Sequence, residues 1–288
     1  MASYLNKLKQ LFDEFIFGNF FIAFCALALV YSTCILNNLN LYLTPYAVFI
    51  FFSTYLFYNF HTYSFQLNFS SSKALKKSIS AIKISTFRLL TNGLALLICT
   101  YQLFFFKESI FIFLLPCAIV TFAYSIPVIG KNNKKKFRDY YLLKLPLLSF
   151  VWAFSTVIIP LAEQNIDLLS PFVVKQMLCR FLFMFALCVP FEIRDMEIDR
   201  LYKVKTFPIV LGRSFTIKTG IVFLLLEILL HHSMDLSNKI IVALDLSSVI
   251  AITWIIILKK QRGEYFYKLF VDGTMVIRFI FLYLAFTL

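Results

Sequence analysis

Residues 173–200 read VVKQMLCRFLFMFALCVPFEIRDMEIDR. The run 173–193 is mainly apolar, and it closes on four carboxylates and two arginines within nine residues, Glu192 to Arg200. About 20 mainly apolar residues carry a helix across the hydrocarbon core of a bilayer. The stretch therefore reads as a membrane-spanning helix with a chemically loaded end. Working outward, eight more stretches share its length and character: 15–36, 43–62, 82–105, 109–127, 142–161, 214–231, 239–258 and 267–287. These are continuous apolar runs, unlike the alternating ten-residue segments of a membrane β-barrel. The expected fold is thus all-α and polytopic, a bundle of nine transmembrane helices.

Composition supports this. The chain has 288 residues, 60% of them hydrophobic and 15% charged, with 36 Phe and 15 Tyr and a mean hydropathy of +0.82. A soluble domain carries roughly 45–50% apolar and about 25% charged residues. The aromatic richness excludes a disordered chain, and 7 Gly with 8 Pro exclude a collagen-like one. No segment between the stretches is long enough to fold alone, so a single integral domain over residues 1–288 is expected. The apolar run after the polar residues 1–14 lacks a small-residue cleavage site, so no cleavable signal peptide is read. The six cysteines (Cys25, Cys34, Cys99, Cys117, Cys179 and Cys188) lie within apolar stretches, form no CxxC pair and read as packed thiols.

The net charge of +13 admits nucleic acid, an anionic membrane face or an anionic substrate. Placement discriminates. Of 28 Lys and Arg, 21 fall at the N-terminus and in the segments after the second, fourth, sixth and eighth stretches, and three (Lys107, Lys175, Lys239) fall on the opposite side. Under the positive-inside rule this predicts a cytoplasmic N-terminus, nine spans and an outside C-terminus. The clustering favours a membrane surface, and no nucleic-acid partner is expected.

On a helix, Glu192, Asp195 and Asp199 share a face of roughly 60°, with Glu197 pointing away. Three carboxylates so placed repel one another. A cation relieves this, and oxygen ligands suit Mg²⁺, which takes one or two carboxylates together with substrate phosphates. A mixed-charge, solvated helix end neutralised by Arg194 and Arg200 is the alternative. In Lys205-Thr206-Phe207-Pro208-Ile209-Val210-Leu211-Gly212, Thr206 fits a helix cap and Pro208 a first turn. With Lys205 beside it, that is a candidate phosphate site or simply a loop entering a helix.

The run Asp195-x-x-x-Asp199, followed by Lys205-Thr206-x-Pro208-x-x-Leu211-Gly212, resembles the second aspartate motif of the UbiA-type intramembrane prenyltransferases. Tyr124-Ser125-Ile126-Pro127 resembles that family's YSxP segment, and the nine-span layout matches its architecture. The resemblance implies an integral protein of a bacterial inner membrane with its active-site mouth on the cytoplasmic side. It implies transfer of an isoprenyl group from an isoprenyl diphosphate to a lipophilic or aromatic acceptor, with Mg²⁺ assisting diphosphate departure. Asp195 and Asp199 would be catalytic. With Glu192 and Asn59 they would hold the metal, and Lys131, Arg138, Lys144, Lys205 and Tyr124 would meet the diphosphate.

The chain departs from the family's first motif, NxxxDxxxD. Asn59 matches, but Tyr63 and Leu67 occupy the aspartate positions, and no acidic residue occurs between Glu14 and Glu108. Leu67 is no ligand, and a neutral phenol is a poor one for a hard ion. Fewer Mg²⁺ ions are therefore expected, with cations including Lys203 taking over part of the diphosphate charge. Lys144, just inside its span, either faces a cavity or snorkels to the surface. His61 is a candidate substitute ligand, but two residues from Asn59 it falls on a different helix face and reads as packing or interfacial. A family member that binds isoprenoid lipid or a partner protein without turnover is the alternative. Arg88, Glu227, Asp245, Asp272 and Arg278 lie at membrane depth, where such residues mark function or internal pairs. A transporter would use them, but no matching pair of Gly/Pro-broken spans supports one.

Overall fold

The structure is a computed structural model that describes residues 2–69, 86–125, 141–201, 204–258 and 262–288; within these, the side chains of residues 2–5, 63–69, 86, 123–125 and 141 lie outside the description. Every described element is helical, as a lipid-embedded chain requires, because a helix satisfies its own backbone polar groups. The helices are α1 (Ala2–Phe17), α2 (Phe20–Leu36), α3 (Pro45–Phe69), α4 (Thr86–Leu103), α5 (Glu108–Ser125), α6 (Tyr141–Ala153), α7 (Ile159–Glu163), α8 (Pro171–Leu201), α9 (Phe207–Leu211), α10 (Arg213–His231), α11 (Asn238–Ile257) and α12 (Gly273–Thr287). A π-helical turn, Phe154–Ile158, joins α6 to α7, and another, Phe266–Val271, leads into α12.

Five helical stretches combine the length and apolarity of a membrane span: Leu142–Glu163, Pro171–Leu201, Arg213–His231, Asn238–Ile257 and Phe266–Thr287. The pair Asn6–Phe17 and Phe20–Leu36, bent by 55°, makes a sixth if it crosses as one. Helices α3, α4 and α5 stand over the other three expected stretches, and a count of nine needs all three to cross.

The first stretch, expected as one helix over 15–36, is instead broken at Gly18–Asn19. Asn19 adopts φ 69°, a left-handed conformation that Asn tolerates better than most residues. A Cβ at Gly18 would collide with the Glu14 carbonyl oxygen, so glycine is required at the turn.

The chain divides into two compact units, residues 1–27 with 43–106 and residues 28–42 with 107–288. In the first, α3 packs on α4, and Ala23, Tyr55 and Ala95 form a buried cluster. In the second, α8 is the hub, packed by α6 and α10. Gly220 on α10 lets that helix approach closely, since a Cβ there would stand 3.2 Å from Val189 and 3.3 Å from Ile255. Leu145, Phe185, Val189, Ile193, Leu258 and Tyr267 form the adjoining core.

A buried arginine ties this second unit together. Pro160 has no N–H to give the Thr156 carbonyl, and the hydroxyl of Thr33 donates to that carbonyl at 2.7 Å instead. Arg180, 3% exposed, donates to the Leu29 carbonyl at 3.0 Å and to Thr156 Oγ1 at 3.2 Å. One guanidinium thereby serves backbone and hydroxyl acceptors on two neighbouring segments.

Candidate functional site

The carboxylates stand on the last turns of α8, beyond Pro190. Glu192 is 5% exposed, and its Oε1 lies 2.6 Å from Nζ of Lys144 on α6. Its second oxygen, Oε2, is buried with no hydrogen-bond donor. An ionised carboxylate in such a place calls for a partner, because unpaired charge is strongly disfavoured away from water. Lys144 is thus a charge partner of the acidic face.

Asp195 is gripped by its neighbour. Arg194 Nε donates to Asp195 Oδ1 at 2.8 Å and Nη2 to Oδ2 at 3.3 Å, while Nη1 reaches Glu264 Oε2 at 3.1 Å. The guanidinium also lies over two rings, 5.2 Å from the centroid of Phe191 and 5.3 Å from that of Tyr267. Arg194 therefore has the neutralising role read from the sequence, and Glu264, far along the chain, was not anticipated. Asp199 is half-buried, and its carbonyl accepts from the Val204 N–H at 2.9 Å. Lys205 is exposed. Thr206 precedes α9, with Pro208 in its first turn, but its side chain makes no cap bond.

In the first unit, Asn59 is 3% exposed and sits inside a ladder of amides. Its Oδ1 accepts from Asn19 Nδ2 at 3.0 Å, and its Nδ2 donates to Asn92 Oδ1 at 3.1 Å. Asn92 in turn donates to the Arg88 carbonyl at 2.8 Å, and Arg88 forks onto Glu14 at 2.8 and 3.0 Å. Asn19 and Asn92 were not singled out in the sequence, where neither carries a motif. His61 lies 6.3 Å ring to ring from Phe57. The backbone of Tyr124 lies in the last turn of α5. The side chains of Tyr124, Tyr63 and Leu67, and all of Lys131, Arg138 and Lys203, lie outside the described residues.

Three further intramembrane charges, Glu227, Asp245 and Arg278, find partners within the second unit. Arg278, 2% exposed, donates to Glu227 Oε1 at 2.7 Å, Ser247 Oγ at 2.8 Å and Ser248 Oγ at 2.9 Å. Ser248 gives its hydroxyl proton to Glu227 Oε2 at 2.8 Å. His231 bridges Glu227 at 3.4 Å and Asp245 at 2.9 Å. These groups form one internal network joining α10, α11 and α12.

Among the described residues no group of three or more His, Cys, Asp or Glu could hold a metal ion on its own. Mg²⁺ does not require one, since it commonly takes one or two carboxylates and completes its shell with water and substrate oxygens. The donor-free Oε2 of Glu192 fits that limited role. Asp195 fits it only by giving up Arg194.

No family model matches the sequence, and no curated protein matches it. Two solved structures share the fold. One is a UbiA homolog from Archaeoglobus fulgidus bound to GPP and Mg²⁺, at TM-score 0.60 and 12% identity over 93% of this chain and 97% of that one. The other is a digeranylgeranylglyceryl phosphate synthase in membranes, at TM-score 0.56 and 16% identity over 98% of this chain and 97% of that one. The chain thus has the fold of UbiA-type proteins. Together with its long apolar helices, this makes it an integral, multi-pass membrane protein.

Proposed function

We propose that this chain is a prenyltransferase-like member of the UbiA family that moves an isoprenyl group from its diphosphate to a lipophilic or aromatic acceptor. The carrying observation is Glu192, buried with one oxygen on Lys144 and the other without a donor, on the helix that presents Asp195 and Asp199. In the reaction the bond between the prenyl C1 and the diphosphate oxygen breaks, a bond from C1 to the acceptor forms, and the acceptor loses a proton. Glu192 Oε2 and Asp199 would hold Mg²⁺, and Asp195 would join them on release from Arg194. The ion when bound supplies Lewis-acid stabilisation of the departing pyrophosphate. Lys144 orients Glu192 and offsets part of the cost of burying its charge. Asn59, Lys131, Arg138, Lys205 and Tyr124 are the further residues assigned to the metal and diphosphate on this reading. Residues 1–288 would act as one nine-span domain of a bacterial inner membrane with the mouth on the cytoplasmic side.

The test is pyrophosphate release from GPP and longer isoprenyl diphosphates by the purified chain with Mg²⁺ and candidate acceptors. Asp195→Asn and Asp199→Asn should each abolish it, and a double variant with full activity would overturn the proposal. A second reading, a relative that binds isoprenoid lipid without turnover, draws on the lack of acidic residues between Glu14 and Glu108 and on the grip of Arg194 on Asp195. It expects no pyrophosphate at any chain length, with prenyl-lipid binding retained.

A further inference from the structure

Behind the acidic face of α8 lies a second feature. A cavity of about 300 Å³ opens between the end of α8, the α9–α10 junction and Leu258 at the end of α11. That volume is at the lower end of the roughly 300–1,000 Å³ of small-molecule pockets, so it admits a headgroup and little more. Its α8 lining includes Met196, Glu197 and Arg200, centred roughly 120° around the helix from Glu192, Asp195 and Asp199. The cavity and the acidic face are therefore offset around one helix, with Arg194 at their border, lining the cavity and holding Asp195.

The cations in the cavity are unequal. The charge of Arg194, which reaches its wall, is already met by Asp195 and Glu264. Arg213 spends one Nη2 proton on the Leu258 carbonyl and keeps its other donors. Arg200 is exposed and makes no ion pair with Glu197, one turn away, among the described residues. Two guanidinium groups with donors to spare thus face a cavity whose described lining holds one carboxylate. Planar forks match phosphate oxygens better than a point charge does. The backbone of Gly212 and Arg213, which begins α10 without a side-chain cap, adds N–H groups of the same polarity. The rest of the wall is apolar, with Met196, Ile209 and Leu258. It lies where α8 passes from its apolar run to its charged end, the level of lipid headgroups, and basic pockets between transmembrane helices at that level take anionic headgroups.

We propose that this cavity is a phosphate-group site, built for the headgroup of an anionic phospholipid and offset from the face that carries Asp195 and Asp199. The experiment uses the full chain in detergent, with native mass spectrometry to count bound lipid and intrinsic-fluorescence melting to follow stabilisation. The probes are phosphatidylglycerol, phosphatidylcholine and inorganic phosphate. Phosphatidylglycerol should bind and raise Tm, phosphatidylcholine should do so much less, and R200Q/R213Q should weaken phosphatidylglycerol by about tenfold or more, the scale of lost charged hydrogen bonds. R200K/R213K should keep part of the affinity. Because Arg213 also holds the Leu258 carbonyl, R200E is the second variant: it leaves that bond intact and should abolish the phosphatidylglycerol effect. If inorganic phosphate alone stabilises the protein fully and loses its effect in the same variants, the site stands and its ligand is a soluble phosphate. Equal binding of phosphatidylglycerol and phosphatidylcholine, or unchanged phosphatidylglycerol binding in R200E and R200Q/R213Q, overturns it.

Discussion

Lys144 Nζ and Glu192 Oε1 stand 2.6 Å apart, with side chains 17% and 7% exposed, so α6 and α8 are joined by a nearly dry ion pair beside the candidate site. Removing one member of a buried pair costs about 3–5 kcal/mol, while replacing both is often neutral. Lys144 keeps some access to solvent, which places the expected loss at the lower end. Lys144→Met and Glu192→Gln should each lower Tm clearly, and the double substitution should recover most of it. Melting of the four proteins in detergent measures this, and strictly additive losses would show that the pair is not coupled.

Arg194 holds Asp195 with two N–H donors and Glu264 with a third. Lysine keeps the charge but not the fork. Arg194→Lys should therefore cost about 1–2 kcal/mol, the scale of one or two charge-assisted hydrogen bonds. If Asp195 must leave Arg194 to meet a metal, the same variant should bind Mg²⁺ more tightly than the parent. Isothermal titration with Mg²⁺ alongside thermal melting separates the two effects, and weaker binding would mean that Arg194 positions Asp195 for the ion.

The helices were legible because apolar length is a local property of the chain, and the described part of each of the nine stretches is largely helical. The break at Gly18–Asn19 was not, because hydropathy is blind to a left-handed residue. At the site, Glu192, Asp195 and Asp199 could be placed on one face from spacing alone, and Lys144 stood out as a cation inside a span. That Lys144 meets Glu192, 48 positions away, or that Arg194 meets Glu264, 70 positions away, is a result of helix packing that no local pattern encodes. The amide ladder Asn19–Asn59–Asn92 was hidden for the same reason.

Asn19 does two things at once, turning the chain at φ 69° and donating to Asn59 at 3.0 Å. Substitutions can separate them. Asn19→Gly relieves the backbone but loses the hydrogen bond, at about 1 kcal/mol. Asn19→Ala loses the bond and adds the left-handed penalty of about 1–2 kcal/mol. Alanine should therefore destabilise more than glycine by about that second amount, as read from Tm. Equal effects would mean that the bend is held by packing and not by the residue at its apex.

Arg278 and Glu227 form a buried ion pair, 2.7 Å apart with side chains 2% and 0% exposed. The pair is closed on both sides: Ser247 and Ser248 accept from the guanidinium, and Ser248 donates to the free oxygen of Glu227. Arg278 also lies 3.4 Å from the centroid of the Phe183 ring, which links α12 to α8. Arg278→Met would leave Glu227 ionised in an apolar bundle with only Ser248 and His231 beside it, an arrangement that costs about 3–5 kcal/mol. Neutralising the carboxylate should relieve this, so Arg278→Met/Glu227→Gln should melt above Arg278→Met alone, although it has lost one more charge. Arg278→Lys should fall between, since an ammonium keeps the Coulombic pairing but does not reproduce the three-way fork to Glu227, Ser247 and Ser248. If the double variant melts below the single one, the glutamate is stabilised by something other than Arg278, and the network is not organised around this pair.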